Sequence, residues 1–205
     1  MGNYAISSEL LKAYEQKKIV PLPLIAASAS EFQNAIKVAK QVNAYGMFVD
    51  KHSVVDYERM TTILTSNKTA GVAIEDDGNI VSLFSSGRHC GVIRTLLPVA
   101  IWLGGRKLDN YSSARLSAMY EMYGFYPISK VAFDREYAPE NWNYDRDKEP
   151  DIVFWIHNGD SAADVVQRLG SYMVTWNHVE SFATYEEARA YRDLKYEAKF
   201  KTHID

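Results

Sequence analysis

Cysteine is almost missing from this chain: among 205 residues only Cys90 carries a thiol. A single thiol makes no intramolecular disulfide and no thiolate zinc cluster, so a fold held by its core in a reducing, cytoplasmic setting is expected. Long apolar runs are missing too. The longest, residues 92–103, is interrupted by Arg94 and Pro98 and falls well short of the ~20 residues that span a bilayer, so no membrane partner is expected. The opening MGNYAISSELLKAYEQKK lacks the apolar stretch of an export signal, and Ile6 stands where a myristoylation motif needs Ser or Thr. Nor is one sign of charge in excess. With 23 Lys and Arg against 26 Asp and Glu, the net charge is −3 and no basic stripe is visible, which argues against nucleic acid as a partner. Repeats and low-complexity stretches are also lacking. What remains is a chain 47% hydrophobic and 13% aromatic, rich enough in apolar surface to bury a core and too rich to stay disordered.

Local signals predict an alternation of helices and strands. Ser7 or Ser8 caps a short helix to about Lys17, and residues 19–27 (IVPLPLIAA) read as a strand that Pro21 and Pro23 confine to an edge. Ser28 with Glu31, or Ser30 with Gln33, forms a capping box ahead of Phe32, Ala35, Ile36 and Ala39 at helical spacing. Ser53 with Asp56 predicts a second helix carrying Tyr57, Met60 and Leu64 on one face and stopping near Asn67. Residues 70–75 and 80–85 form a hairpin, because Asp77-Gly78 supplies the positive φ of a tight turn. There follow a loop, an apolar helix ending at Gly104, a strand at 107–110, a helix from about Ser112 to Tyr123, and strands at 127–133 and 151–156 joined by a long aromatic link. Helices at 161–169 and 184–199 close the chain. Tyr185, Ala188, Tyr191, Leu194 and Ala198 line one face of the last, which must be buried somewhere, while its charged residues read as solvated. The fold class expected is α+β, a mixed sheet with flanking helices.

The segment MYEMYGFYPISKVAF, residues 119–133, resembles the helix-to-strand junction of GNAT-superfamily N-acetyltransferases. Met119, Tyr120, Glu121, Gly124 and Phe125 match its Leu-Tyr-Glu-x-x-Gly-Phe pattern. Upstream, the hairpin, the loop Arg88-His89-Cys90-Gly91-Val92-Ile93, an apolar helix and a strand follow the superfamily's order. The resemblance covers about residues 28–157. It implies a GNAT-like acyl-CoA N-acyltransferase domain at 1–157, with 1–27 an N-terminal helix and edge strand. The helical extension at 158–205, packed on that domain, has no counterpart in the superfamily.

The resemblance further implies acetyl-coenzyme A (acetyl-CoA) as co-substrate and an amine of a small molecule or a protein as acceptor, and it leaves a homodimer open. Its pyrophosphate would sit on the loop at 88–93, where backbone N–H groups converge at a helix start. The pantetheine would pair with the strand residues Leu83, Phe84 and Ser85 as an added strand does. Tyr120 would protonate the leaving thiolate. Two positions depart from the pattern: Ile93 stands where the family has Gly or Ala, and Pro98 requires the helix to begin at Thr95 if it is to fall in the first turn. The general base is open among Glu75, Asp76, His89, Glu121 and a water chain. No second His, Cys or carboxylate lies at metal-ligand spacing from His89 and Cys90, so no metal is expected. The competing reading is a GNAT-fold binding or regulatory protein without catalysis, acting through a protein partner.

Overall fold

In a computed structural model of the chain, residues 4–43, 45–87, 91–139, 142–170 and 179–200 are described, without the side chain of Met47. They form a mixed α+β protein with two four-stranded sheets and eight α-helices. The chain divides into two compact units, Met1–Arg106 with Ser161–Arg168 and Lys107–Asp160 with Leu169–Asp205. No helix among the described residues is long and apolar enough to cross a membrane.

The first unit begins with α1 (Ser8–Gln16), whose Leu10 N–H is capped by the Ser7 hydroxyl at 3.2 Å. Its sheet is an antiparallel run in chain order, β1 (Leu24–Ala26), β2 (Thr61–Thr65), β3 (Ala70–Ile74) and β4 (Ile80–Ser85). The two prolines shorten the expected edge strand to three residues, because Pro has no N–H to give a ladder. Between β1 and β2 stand α2 (Ala29–Val42) and α3 (Val54–Tyr57), and both capping boxes form.

The second capping box starts a helix of four residues only. The expected helix through Leu64 is instead β2, because Thr61-Thr62-Ile63-Leu64-Thr65 is dominated by β-branched residues and pairs with a strand on each side. With β2 beside it, the expected hairpin β3-β4 becomes part of a three-strand antiparallel meander. Residues 45–49 form a 3₁₀ turn, Gly46–Phe48, closed by local bonds from Gly46 N–H to Asn43 O and Phe48 N–H to Tyr45 O. α2 and the next helix, α4 (Val92–Trp102), both pack on β3, all five of whose residues are buried. Phe32 and Ile36 of α2 are fully buried, each contributing roughly 1.5–3 kcal/mol by leaving water. The Phe32 ring meets Tyr57 at 5.0 Å and Phe84 at 5.5 Å.

α4 begins at Val92 with Gly91 in the cap position, so Pro98 lies inside the helix rather than in a first turn capped by Thr95. A proline there lacks the N–H that the carbonyl four residues back requires. That carbonyl belongs to Arg94, and the Tyr14 hydroxyl donates to it at 2.9 Å. Thr95 serves elsewhere, its hydroxyl accepting the Leu22 N–H at 3.0 Å.

The second unit holds β5 (Lys107–Tyr111), α5 (Ala114–Met122), β6 (Phe125–Val131), α6 (Tyr144–Asp147) and β7 (Ile152–His157). The next helix, α7 (Ala162–Arg168), belongs to the first unit, where it packs on α1 and α4. The chain then adds β8 (Glu180–Phe182) and α8 (Tyr185–Phe200) to the second unit. Strand order is β5-β7-β6-β8; β7 is antiparallel to both neighbours and β8 lies parallel to β6. Pro127 is tolerated inside β6 because the register shifts there. The long link before β7 is folded on itself: Trp142 stacks near Tyr111 at 4.8 Å and Phe133 at 5.0 Å, and its indole N–H donates to Lys148 O.

α8 packs on β6 and β7, but not by the whole expected stripe. Ala188 and Arg192 are fully buried, whereas Leu194 is 63% exposed. Arg192 is therefore no part of a solvated face. Its guanidinium reaches Asp193 at 2.9 Å and Asp109 at 3.7 Å and lies 5.7 Å over the Phe154 ring.

Candidate functional site

The residues expected to bind the donor lie in the first unit. Leu83, Phe84 and Ser85 occupy β4, an edge strand of its sheet. The Phe84 side chain is committed to the core, so only its backbone is open to a ligand. The Ser85 hydroxyl donates to Gly87 O at 2.7 Å, and its carbonyl accepts from Asn43 Nδ2 at 2.7 Å. Arg88, His89 and Cys90 lie outside the described residues. Gly91 has φ +104, and a Cβ built there would meet nothing within 4 Å. Only glycine adopts that backbone without strain. Val92 is buried and Ile93 half-buried.

β4 is not regular. Gly71 pairs with Phe84 and Ala73 with Val81, so Val72 faces both Ser82 and Leu83. This is a β-bulge, which withdraws one residue from the ladder and leaves its polar groups for other partners. Ser82 takes φ +51 at the bulge, a left-handed conformation that usually calls for glycine. Its hydroxyl donates to Asp50 O at 2.9 Å and lies 2.8 Å from the Tyr57 hydroxyl, which accepts the His52 N–H at 3.3 Å. The Asp50 carbonyl can only accept, so the Ser82 proton is committed and Tyr57 must donate to Ser82. Burial pushes the Tyr57 hydroxyl above its ordinary pKa. Sequence reasoning missed this relay. Its signal was a serine in the inward register of Ile80, Ser82 and Phe84, where a polar group needs a partner.

The second unit carries Tyr120 on α5. It is 8% exposed, with its ring at 6.1 Å from Phe125 and 5.9 Å from Trp155. Burial, and then the charge of Asp109, hold its hydroxyl well above the ordinary tyrosine pKa, so it keeps its proton at neutral pH. Among the described residues its hydroxyl makes no hydrogen bond.

Glu121 follows it and lines an open cleft of about 600 Å³ with Ser112, Ser113, Ala114, Ser117 and Ala118. Its Oε1 is buried without a hydrogen-bond partner among the described residues, and burial raises its pKa. Glu75 accepts from Asn79 Nδ2 at 2.8 Å and helps shape the hairpin turn. His157, wholly buried, bonds through Nε2 to Tyr123 O at 3.0 Å and through Nδ1 to the Gly159 N–H at 3.2 Å. The carbonyl can only accept, so Nε2 carries the ring proton and the imidazole is neutral and structural. Among the described residues no group of three or more His, Cys, Asp or Glu side chains is placed to hold a metal ion.

No protein-family model, curated protein or solved structure matches the chain. The functional reading therefore stands on the residues themselves.

Proposed function

We propose that the chain is a GNAT-like N-acyltransferase that moves an acetyl group from acetyl-coenzyme A to an amine of a small molecule or a protein. One observation carries the reading: a bulged edge strand, β4, runs through a short loop into a left-handed glycine and the first turn of α4. An edge strand can pair with an extended pantetheine as with an added strand, and amides at a helix start favour a pyrophosphate. The meander β2-β3-β4 and the Tyr120-Glu121 pair ahead of Gly124-Phe125 support it. In this reading the pyrophosphate is assigned to residues 88–93, of which Arg88, His89 and Cys90 lie outside the described residues and Ile93 stands where the family has Gly or Ala.

The chemistry asks little of the protein beyond placement. The neutral amine attacks the thioester carbon, a C–N bond forms, and the carbonyl oxygen gains charge that a backbone N–H at the bulge is suited to stabilise. Collapse breaks the C–S bond, and the thiolate takes the Tyr120 proton. The proton lost by the amine goes to Glu121 or to a water chain.

Coenzyme A should raise the melting temperature, by the equivalent of about 2.7 kcal/mol at a hundredfold excess over its dissociation constant. The absence of any shift would overturn the acyltransferase reading. Tyr120→Phe should lower turnover per folded molecule by roughly 10² to 10⁴ with donor affinity little changed. Because the hydroxyl makes no hydrogen bond within the described protein, its loss should leave stability near that of the parent, and retention of turnover would remove Tyr120 from the mechanism.

A further inference from the structure

We infer that Tyr57 is a positioning residue: through the Ser82 hydroxyl it holds the β4 bulge in the geometry that polarises the donor's thioester carbonyl. The inference rests on the acyltransferase reading and adds a residue to it that the motif does not contain.

Ser82 occupies a backbone conformation that L-residues avoid, at φ +51. Left alone, such a residue relaxes toward ordinary strand geometry, and the bulge would slide or close. What opposes this is one chain of three hydrogen bonds, from His52 N–H to Tyr57, from Tyr57 to Ser82, and from Ser82 to the Asp50 carbonyl. Each hydroxyl in it has one proton and one direction for it. The chain is also buried, Tyr57 at 1% and Ser82 at 9% exposure, so water does not substitute for a missing link. Neither side chain is free to touch substrate, and the effect on the reaction passes through backbone geometry. A glycine at position 82 would make the bulge with no such support. A serine held by Tyr57 instead ties the bulge to residues 50–57, so the carbonyl donor keeps its aim only while that segment is in place.

Two readings of the same hydrogen bonds separate cleanly. If they only satisfy buried polar groups, their loss lowers stability and leaves the bound donor unaffected. If they aim the bulge, glycine at position 82 makes Tyr57 dispensable and alanine does not.

The test is the infrared carbonyl stretch of acetyl-coenzyme A, ¹³C-labelled at the carbonyl, bound to the parent and to Tyr57→Phe, Ser82→Ala, Ser82→Gly and the double variant Tyr57→Phe/Ser82→Gly, with melting curves alongside. The parent should lower the stretching frequency on binding. Tyr57→Phe and Ser82→Ala should lose most of that shift while holding coenzyme A within about threefold of the parent affinity. Ser82→Gly and the double variant should keep it.

Full retention of the shift by Tyr57→Phe, or its loss in Ser82→Gly, overturns the role of Tyr57 and leaves the acyltransferase reading standing. A parent that binds acetyl-coenzyme A without any shift also overturns it. A parent that binds neither coenzyme A nor its acetyl ester overturns the acyltransferase reading itself, and the role of Tyr57 with it. Should Tyr57→Phe fail to fold, Ser82→Ala still carries the test, because retention of the shift without the Ser82 hydroxyl overturns any role of Tyr57 exerted through it.

Discussion

The two units differ in how much charge they bury. In the first, neutral hydroxyls meet backbone carbonyls and amides: Tyr14 on Arg94, Thr95 on Leu22, Thr62 on Ala27 at 2.8 Å, Ser82 on Asp50. The second has such bonds too, Ser129 on the Ala188 carbonyl and His157 on that of Tyr123, but it adds buried cations. Lys107, 3% exposed, pairs with Asp193 at 3.0 Å, Arg192 joins Asp193 and Asp109, and the Tyr185 hydroxyl donates to Asp109 at 3.2 Å. A hydroxyl bond removed leaves one neutral group unsatisfied, whereas a buried ion removed leaves its partner charged and desolvated. The same kind of substitution should therefore weigh differently in the two units.

The largest effect is expected at Arg192. Arg192→Ala should cost about 2–5 kcal/mol in a denaturant titration, because a wholly buried side chain is emptied from under α8 and half-buried Asp109 loses a cationic neighbour, while Asp193 keeps Lys107 at 3.0 Å. Arg192→Met, which fills the space, should cost less than the alanine, and equal costs would show that packing and not charge holds α8 down.

In the first unit, Tyr14→Phe should cost about 1–3 kcal/mol, since the Arg94 carbonyl has no helical donor to fall back on. Pro98→Ala restores that donor, so in its background the Tyr14 substitution should cost measurably less. Additive costs in this double-mutant cycle would break the link between Tyr14 and the proline.

Smaller effects follow pH. The Glu121 pKa is raised above 4.5, so ionisation opposes folding: stability declines as pH rises from the unfolded value through the folded one. Glu121→Gln should melt slightly above the parent at pH 7, by a fraction of a kcal/mol after solvent screening, and the two should converge below pH 4.5.

Glu31 behaves oppositely. The Ser28 backbone N–H, Lys68 and the Ser28 hydroxyl lower its pKa from 4.5 to about 2. Its contribution is present above pH 4.5 and lost as pH falls toward 2. The gap between the parent and Glu31→Gln melting points should close over that window, and a gap unchanged at pH 2 would show that the capping carboxylate contributes nothing through its charge.

These contrasts also mark what could be read from the chain alone. Capping boxes are local, and those at Ser28 and Ser53 both formed. So did the turn at Gly78, with φ +83. Where a helix stops is less local: Thr61-Thr62-Ile63 became strand because β1 and β3 were there to pair with it. Arg192 was illegible for the same reason, since its partner Asp109 and the Phe154 ring are remote in sequence and a charge on an amphipathic helix ordinarily faces water. In the candidate site, Gly91 was readable as a glycine before a helix. The tie from Tyr57 through Ser82 to Asp50 was not, because it exists only once three separate segments meet.

The membership of α7 bears on how the protein is made. Synthesis proceeds from the N-terminus, yet the first unit includes Ser161–Arg168, whose Ala162, Ala163, Val165 and Val166 are buried. While the ribosome is still translating β5 through β7, α1 and α4 have no helix to cover them, and their apolar faces must wait. The earlier-made unit is thus completed by a later-made piece, and a chain ended before residue 161 would expose that surface rather than merely lack a tail.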